Sequence, residues 1–435
     1  MNQMSSVLRT IVMTLCCTVL GMVPLHAAEP PSQDQADSSD PPQSEYRTPL
    51  AGEACVLDAF GNRIQVPERD RCNNLALVLG VATYSPDLGG ADALPLAALY
   101  WRRESPQSRT RLTFSVFVNE LDHALKHDRF ELLGHLENNT IPFPTAEIEE
   151  GREVRESSIY WGQVAAWLGV GYRLPVAPFQ MDNDLRLQLF YEGGYLYSGR
   201  SKDSGSQVRL PPDTYQHGVR LRVRYDGMRR NLLELLHQGF AAGMDAEWGR
   251  RLNWSDANYG GNGFGKEETQ EFAKLSGYLI TASPVPGLSE RNRLIFSAHG
   301  GTPLSGELDR FSLFRIGGGP FFNESDDLMR SPYPGAQFNQ FPTSDYILGT
   351  VEYRREFWPF LYLHLRSTLT WADRDLLSSP GSQEHDADLG KAYSVGITSG
   401  FFWDSVLYLE YSHDDGILRN RRSGDSALVL WSKSL

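Results

Sequence analysis

The sequence predicts an all-β protein: a transmembrane antiparallel β-barrel of about sixteen strands, with a long infolded loop near 302–344. Three observations predict it. Apolar and polar residues alternate in runs of about ten, the length a tilted strand needs to cross a membrane. The connections alternate between short and long. The chain also opens with an export signal.

The clearest run is Val219 to Asp226. Val219, Leu221, Val223 and Tyr225 alternate with Arg220, Arg222, Arg224 and Asp226. A helix of period 3.6 cannot separate these two sets, whereas a strand puts them on opposite faces. The three arginines then need water or carboxylates.

The export signal begins with Arg9, followed by an apolar stretch from Ile11 to Val23 and by Leu25, His26 and Ala27. This is the order of a secretory signal peptide, 1–27, and its apolar core is shorter than the roughly 20 residues of a spanning helix. Cys16 and Cys17 fall within it. Removing it takes away only Arg9, so the net charge moves from −13 to −14. An acidic balance excludes nucleic acid as the expected partner. Cys55 and Cys72 remain, and in an exported chain they are expected to form a disulfide. No Cys or His spacing suits a metal, and no cofactor motif occurs.

Residues 28–58 form an acidic, Pro-rich periplasmic linker with too little apolar surface to order itself. Residues 59–74 are a cysteine-containing segment or a first strand. The barrel occupies 75–435. Strands are expected near 75–84, 94–102, 110–120, 128–137, 159–173, 184–198, 217–229, 239–252, 270–281, 291–301, 345–356, 360–371, 391–402, 404–413 and 425–435. A weak strand near 56–66 brings the count to about sixteen, in keeping with the even number of bacterial barrels. Residues 356–359 and 403–405 read as tight periplasmic turns. Residues 372–390 and 412–425 read as long external loops.

The polar faces predict an ion network in the lumen. Neighbouring strands put Arg220, Arg222 and Arg224 beside Asp245 and Glu247, with Asp226 in the same network, and Glu352, Arg354 and Glu356 share one face of 345–356. Within 302–344, Gly317, Gly318 and Gly319 permit a close approach to a wall, while Pro334 and Gly335 make a turn beside Arg330 and Tyr333. Phe311, Phe314, Phe321, Phe322, Phe338 and Phe341 favour a packed plug over an exposed loop.

Several short pieces carry a family resemblance across 75–435. Tyr160, Trp161 and Gly162 open a strand. Pro212, Asp213, Thr214 and Tyr215 lead into the Arg220 strand, which ends in Tyr225 and Asp226. His237, Gln238, Gly239 and Phe240 start the next strand. Phe314, Arg315, Ile316, Gly317, Gly318 and Gly319 lie in the long segment before the last five strands. With these, the chain resembles the barrel domain of the BamA/TamA superfamily, the bacterial surface antigen proteins. The resemblance implies a sixteen-stranded barrel in the bacterial outer membrane whose sixth external loop folds into the lumen. Departures bear on function. The family's Arg-Gly-aromatic tripeptide is replaced by Leu328, Met329, Arg330, Ser331, Pro332, Tyr333, Pro334 and Gly335. Residues 360–371, which would carry the carboxylate partner, hold no Asp or Glu. An acidic linker stands where POTRA repeats would precede the barrel.

The expected function is a plugged barrel with a structural or assembly/translocation-linked role. It would contact outer-membrane lipid, lipopolysaccharide and a periplasmic partner protein. The alternatives are a passive or gated pore for small solutes and a membrane-embedded hydrolase. No Gly-x-Ser-x-Gly elbow occurs, and His217, His299 and His364 lack spaced partners, so no catalytic residue is assigned.

Overall fold

The computed structural model describes residues 46–59, 62–66, 70–116, 118–140, 142–261, 263–318, 327–336, 340–379, 382–401 and 405–435. The expected signal peptide, the linker up to residue 45, Trp403, Asp404, Gly319, Phe321, Phe322 and Phe338 lie outside the described residues.

Among the described residues, sixteen long strands close into an antiparallel barrel. They are β1 (Asn73–Leu88), β2 (Ala91–Glu104), β3 (Ser108–Ser115), β4 (Val118–His127), β5 (Phe130–Thr140), β6 (Arg152–Pro175), β7 (Asp184–Arg200) and β8 (Thr214–Asp226). Then follow β9 (Leu236–Arg251), β10 (Glu271–Pro284), β11 (Asn292–Ser305), β12 (Asp345–Trp358), β13 (Leu361–Ser379), β14 (Ser382–Ser399), β15 (Ser405–Asp414) and β16 (Gly424–Ser434). Short segments Thr145–Glu149 and Arg229–Arg230 extend the sheet at its rims. β16 pairs with β1 from Asp425 opposite Ser85 to Ser434 opposite Ala76, so no open sheet edge remains.

The two-residue period sorts the side chains as the alternation predicts. On β7, Leu189 is 48% exposed while its neighbour Gln188 is 5% exposed. A water-soluble sheet buries its apolar face; this one buries its polar face and leaves Leu187, Leu189, Tyr191 and Val219 outside. That inversion suits a sheet whose outer solvent is lipid. No helix among the described residues is long and apolar enough to span a membrane.

Four expectations need correction. First, the sixteenth strand is not near 56–66. Residues 55–66 form a separate hairpin, Cys55–Ala59 with Asn62–Val66. The extra barrel strand comes from the expected strand 110–120, which is two strands, β3 and β4. Their turn has no Gly or Pro signal. Ser115 builds it instead: its Oγ accepts from the Val118 amide at 3.0 Å and donates to the Val118 carbonyl at 2.7 Å. Leu112, Phe114, Val116 and Val118 recur every second residue, so the run reads as one strand and hides the turn, although Phe117 interrupts the alternation.

Second, most of 372–390 is not a loop. β13 and β14 stay paired as far as Ser379 opposite Ser382. Backbone pairing carries a polar hairpin onward past the apolar band. Third, the end of the linker, residues 46–58, is ordered. Thr48 Oγ1 donates to Glu356 at 2.6 Å, Tyr46 also bonds Glu356, and the Ala51 amide donates to Arg230 O at 3.0 Å. Arg291 lies 3.9 Å over the Tyr46 ring. Buried polar and cation–π contacts supply what low hydrophobicity lacks.

Fourth, Cys55 and Cys72 are free cysteines rather than a disulfide. Cys55 belongs to the hairpin. Cys72 sits one residue before β1, and its Sγ meets Met181 Sδ at 3.7 Å in the β6–β7 turn. The two side chains are held by different neighbours.

Candidate functional site: an occupied lumen

The lumen is built by the polar faces of the strands. β8 and β9 bring the arginines beside the two carboxylates, and the register sets Arg220 opposite Glu247 and Arg222 opposite Asp245. Arg220 reaches Glu247 at 2.6 Å and Glu192 at 3.5 Å, and stacks 3.9 Å over Trp167. Lys274 adds a second cation to Glu247 at 3.5 Å. Arg224 takes Asp245 at 2.7 Å, and Arg222 is left at 3.5 Å from that same carboxylate. Asp226 belongs elsewhere: it pairs with Arg230 at 2.6 Å at the rim.

A second network lies across the barrel. Glu352 binds Arg354 at 2.7 Å, His364 at 2.8 Å and Arg366 at 2.7 Å. Arg366 continues to Glu410 at 2.8 Å. Glu356 shares the face of Glu352 and Arg354 but joins the docked segment through Tyr46 and Thr48. Sequence reasoning missed Glu192, Lys274, His364, Arg366 and Glu410 as members. All sit at the polar phase of their strands, the one signal that could have found them.

At the end where residues 46–59 dock, Asp182 in the β6–β7 turn binds Arg71 at 2.7 Å and also Arg102. Burial alone would raise its pKa; Arg102, Arg230 and Arg71 outweigh that and hold the carboxyl well below its ordinary range. Arg71 also clamps Glu234 through two bonds of 2.6 and 2.7 Å.

The segment between β11 and β12 enters the barrel. Phe314–Ile316 and Phe341–Thr343 pair as a short ribbon at its base. Phe314, Ile316, Tyr333, Ala336 and Phe341 share one buried cluster with Val78, Tyr346, Tyr408 and Leu430 from the barrel wall. Leu328 and Met329 pack against a second wall cluster containing Tyr278 and Ile280. Polar ties fix the register. The Leu328 carbonyl meets His299 Nε2 at 3.0 Å, Ser331 Oγ meets Tyr346 Oη at 3.0 Å, and the Tyr333 hydroxyl donates to Asp414. Arg330 finds its carboxylate on β4, Glu120 at 3.3 Å, with Asp327 at 3.6 Å. So the strand 360–371 has no carboxylate to give, and another wall supplies it.

Two glycines permit this path. Gly317 has φ +120°, and Gly335 has φ +81° with any Cβ placed 2.9 Å from Ser426 Oγ and 3.0 Å from Ser412 Oγ. Larger residues would strain both backbone and contact. Gly318 packs over Arg330, whose Cβ would be 3.4 Å from an added methyl. Pro334 lies in the turn with Gly335.

On the side opposite the docked segment, the connections form a cap. Trp161, Trp254, Tyr259, Phe264 and Phe311 pack together there. Arg251 and Asp309, both fully buried, pair at 2.8 Å, and the Tyr259 hydroxyl donates to Asp309 at 2.8 Å. Nothing in the sequence pattern singles out this pair.

The histidines singled out in the sequence, His217, His299 and His364, are otherwise engaged. His299 holds Leu328, His364 lies between Glu352 and Thr398, and His217 stacks near Tyr191 and Trp248. None has a serine partner among the described residues.

A closed sixteen-stranded barrel with an outer apolar band and a polar, occupied interior is the architecture of a bacterial outer-membrane protein. Within that class the fold is of the BamA type. BamA from Haemophilus ducreyi lacking POTRA domains 1–3 superposes with a TM-score of 0.50 at 9% identity, over 88% of this chain and 75% of that one. CdiB from Acinetobacter baumannii gives 0.49 at 11% identity, over 88% and 66%. CdiB from Escherichia coli gives 0.48 at 13% identity, over 88% and 67%. No family model and no curated protein matches the chain.

Proposed function

We propose that this protein is a plugged barrel of the bacterial outer membrane with a non-enzymatic, structural or assembly/translocation-linked role. The observation that carries it is the seating of residues 327–336 in the lumen through Arg330–Glu120, Ser331–Tyr346 and Tyr333–Asp414. A pore needs a continuous wet path, and buried Phe314, Tyr333 and Phe341 of the segment between β11 and β12 pack against the barrel wall instead. The outer band contacts outer-membrane lipid and lipopolysaccharide. The mouth where residues 46–59 dock is the place for a periplasmic partner protein.

Planar-bilayer recording tests the plug. The intact barrel gives no large steady conductance. A variant in which a short Gly-Ser linker replaces residues 318–336 gives stepwise openings. A large steady current from the intact protein would sink the proposal.

A further inference from the structure

Beside the tip of the infolded segment, a chamber of about 160 Å³ remains, lined by Asp327 and Leu328 of that segment and by Asp182 of the β6–β7 turn. That is room for roughly five waters at about 30 Å³ each. Arginines crowd it. Arg186 stands directly opposite Arg224, and Arg102 directly opposite Arg111, on neighbouring strands. Like charges placed so are unfavourable unless something compensates them.

Carboxylates compensate these four. Arg102 binds Asp182, Arg111 binds Asp122 at 2.6 Å, Arg186 binds Asp184 at 2.7 Å and Arg224 binds Asp245 at 2.7 Å. Asp226 is taken by Arg230, and Asp327 accepts the Met329 amide at 3.0 Å. Two lining arginines are left over. Arg109 has Glu131 only at 3.8 Å, and its buried Nη1 has no hydrogen-bond partner. Arg222 has Asp245 only at 3.5 Å, already held more closely by Arg224, and its buried Nε is also without one. Gln188, buried and directly opposite Arg222, adds amide donors to the same wall.

We propose that this chamber binds a small phosphate-type oxyanion, with Arg109 and Arg222 as its charged ligands and Gln188 as a neutral one. Guanidinium groups match tetrahedral oxyanions through paired donors, and a buried guanidinium N–H without an acceptor is costly until an anion arrives. Entry from the periplasm rests on the membrane orientation proposed above; binding itself does not. Ala124 lines the chamber with no more than a methyl group.

The test is thermal unfolding of the purified, full-length barrel in detergent. Inorganic phosphate is titrated against chloride at constant ionic strength. Phosphate is expected to raise the midpoint along a saturating curve. At ten times the dissociation constant, the folded-to-unfolded ratio rises about elevenfold. The Arg109→Gln/Arg222→Gln double variant abolishes that rise. Ala124→Met, which fills the chamber and leaves every arginine in place, abolishes it too, and serves if the double variant does not fold. Equal responses to phosphate and chloride, or a phosphate response surviving in either variant, overturns the proposal. A conductive barrel would refute the plug but leave this binding result intact, so the two can fail separately.

Discussion

Arg220 on β8 and Glu247 on β9 lie directly opposite each other, 2.6 Å apart on the lumenal face, with Trp167 beneath the guanidinium. Removing the Glu247 charge leaves Arg220 with the more distant Glu192 at 3.5 Å. Glu247→Gln is expected to cost about 3 kcal/mol, the lower end for buried pairs, because both side chains keep some exposure. Arg222→Ala costs clearly less, since Arg222 is the loosely held arginine of the run. Urea unfolding of the refolded barrel, read by heat-modifiable gel mobility, ranks the two. Equal losses, or a larger loss at Arg222, would show that the pairing does not carry the stability.

The infolded segment depends on Tyr333 and Gly335. Tyr333→Phe removes the hydroxyl donor to Asp414, which then keeps only the Gly416 and Leu418 amides, each at 3.1 Å. The expected cost is about 1–2 kcal/mol, felt locally. Gly335→Val is more severe, because its φ of +81° and the Ser412 and Ser426 hydroxyls leave no room for a side chain. Hydrogen exchange should show faster exchange at 327–336 in both variants, while the wall strands keep their protection. Unchanged exchange in Gly335→Val would mean the segment is not held in this seat.

Why some of this was legible follows from the range of each interaction. Val219 to Asp226 reveals its lumenal face because a strand repeats every two residues, and directly opposite residues of the next antiparallel strand share that face. That Arg220, Arg222 and Arg224 lie beside Asp245 and Glu247 could therefore be read, whereas which arginine faces which carboxylate depends on a register that alternation does not set. Arg330–Glu120 joins a loop to a strand across the barrel, and Arg251–Asp309 joins the end of β9 to the segment after β11; no local period encodes either contact. The β3–β4 turn was hidden for the opposite reason: its local pattern is too regular, and a serine performs the work of the usual Gly or Pro. Residues 46–58 read as linker because their composition is polar, yet specific polar contacts to Glu356 and Arg230 order them.

The two cysteines should react at different rates. Cys72 is exposed, whereas burial, with Glu53 adding to it, pushes the Cys55 thiol up from its ordinary range. The thiolate is the reactive form, so Cys55 holds less of it at any pH. Iodoacetamide at pH 8 should label Cys72 first, with mass spectrometry locating each adduct. Intact protein that takes up no label until it is reduced would restore the disulfide and refute the free-thiol arrangement.

Asp182 predicts the acid limb of stability. Its carboxyl is depressed in the folded barrel by Arg102, Arg230 and Arg71, against the opposing effect of burial. An unfolded aspartate titrates near 3.9. The folded state therefore binds fewer protons below that value, and stability must fall as pH drops. The contribution is fully present above the unfolded pKa and is lost progressively from about pH 5 downward. Asp182→Asn removes this carboxylate, so the variant should be less stable than wild type at pH 7. The difference should narrow between pH 5 and pH 3. Midpoints of urea unfolding at those three values decide it. A constant difference across the series would mean that Asp182 contributes through packing rather than through its charge with Arg71 and Arg102.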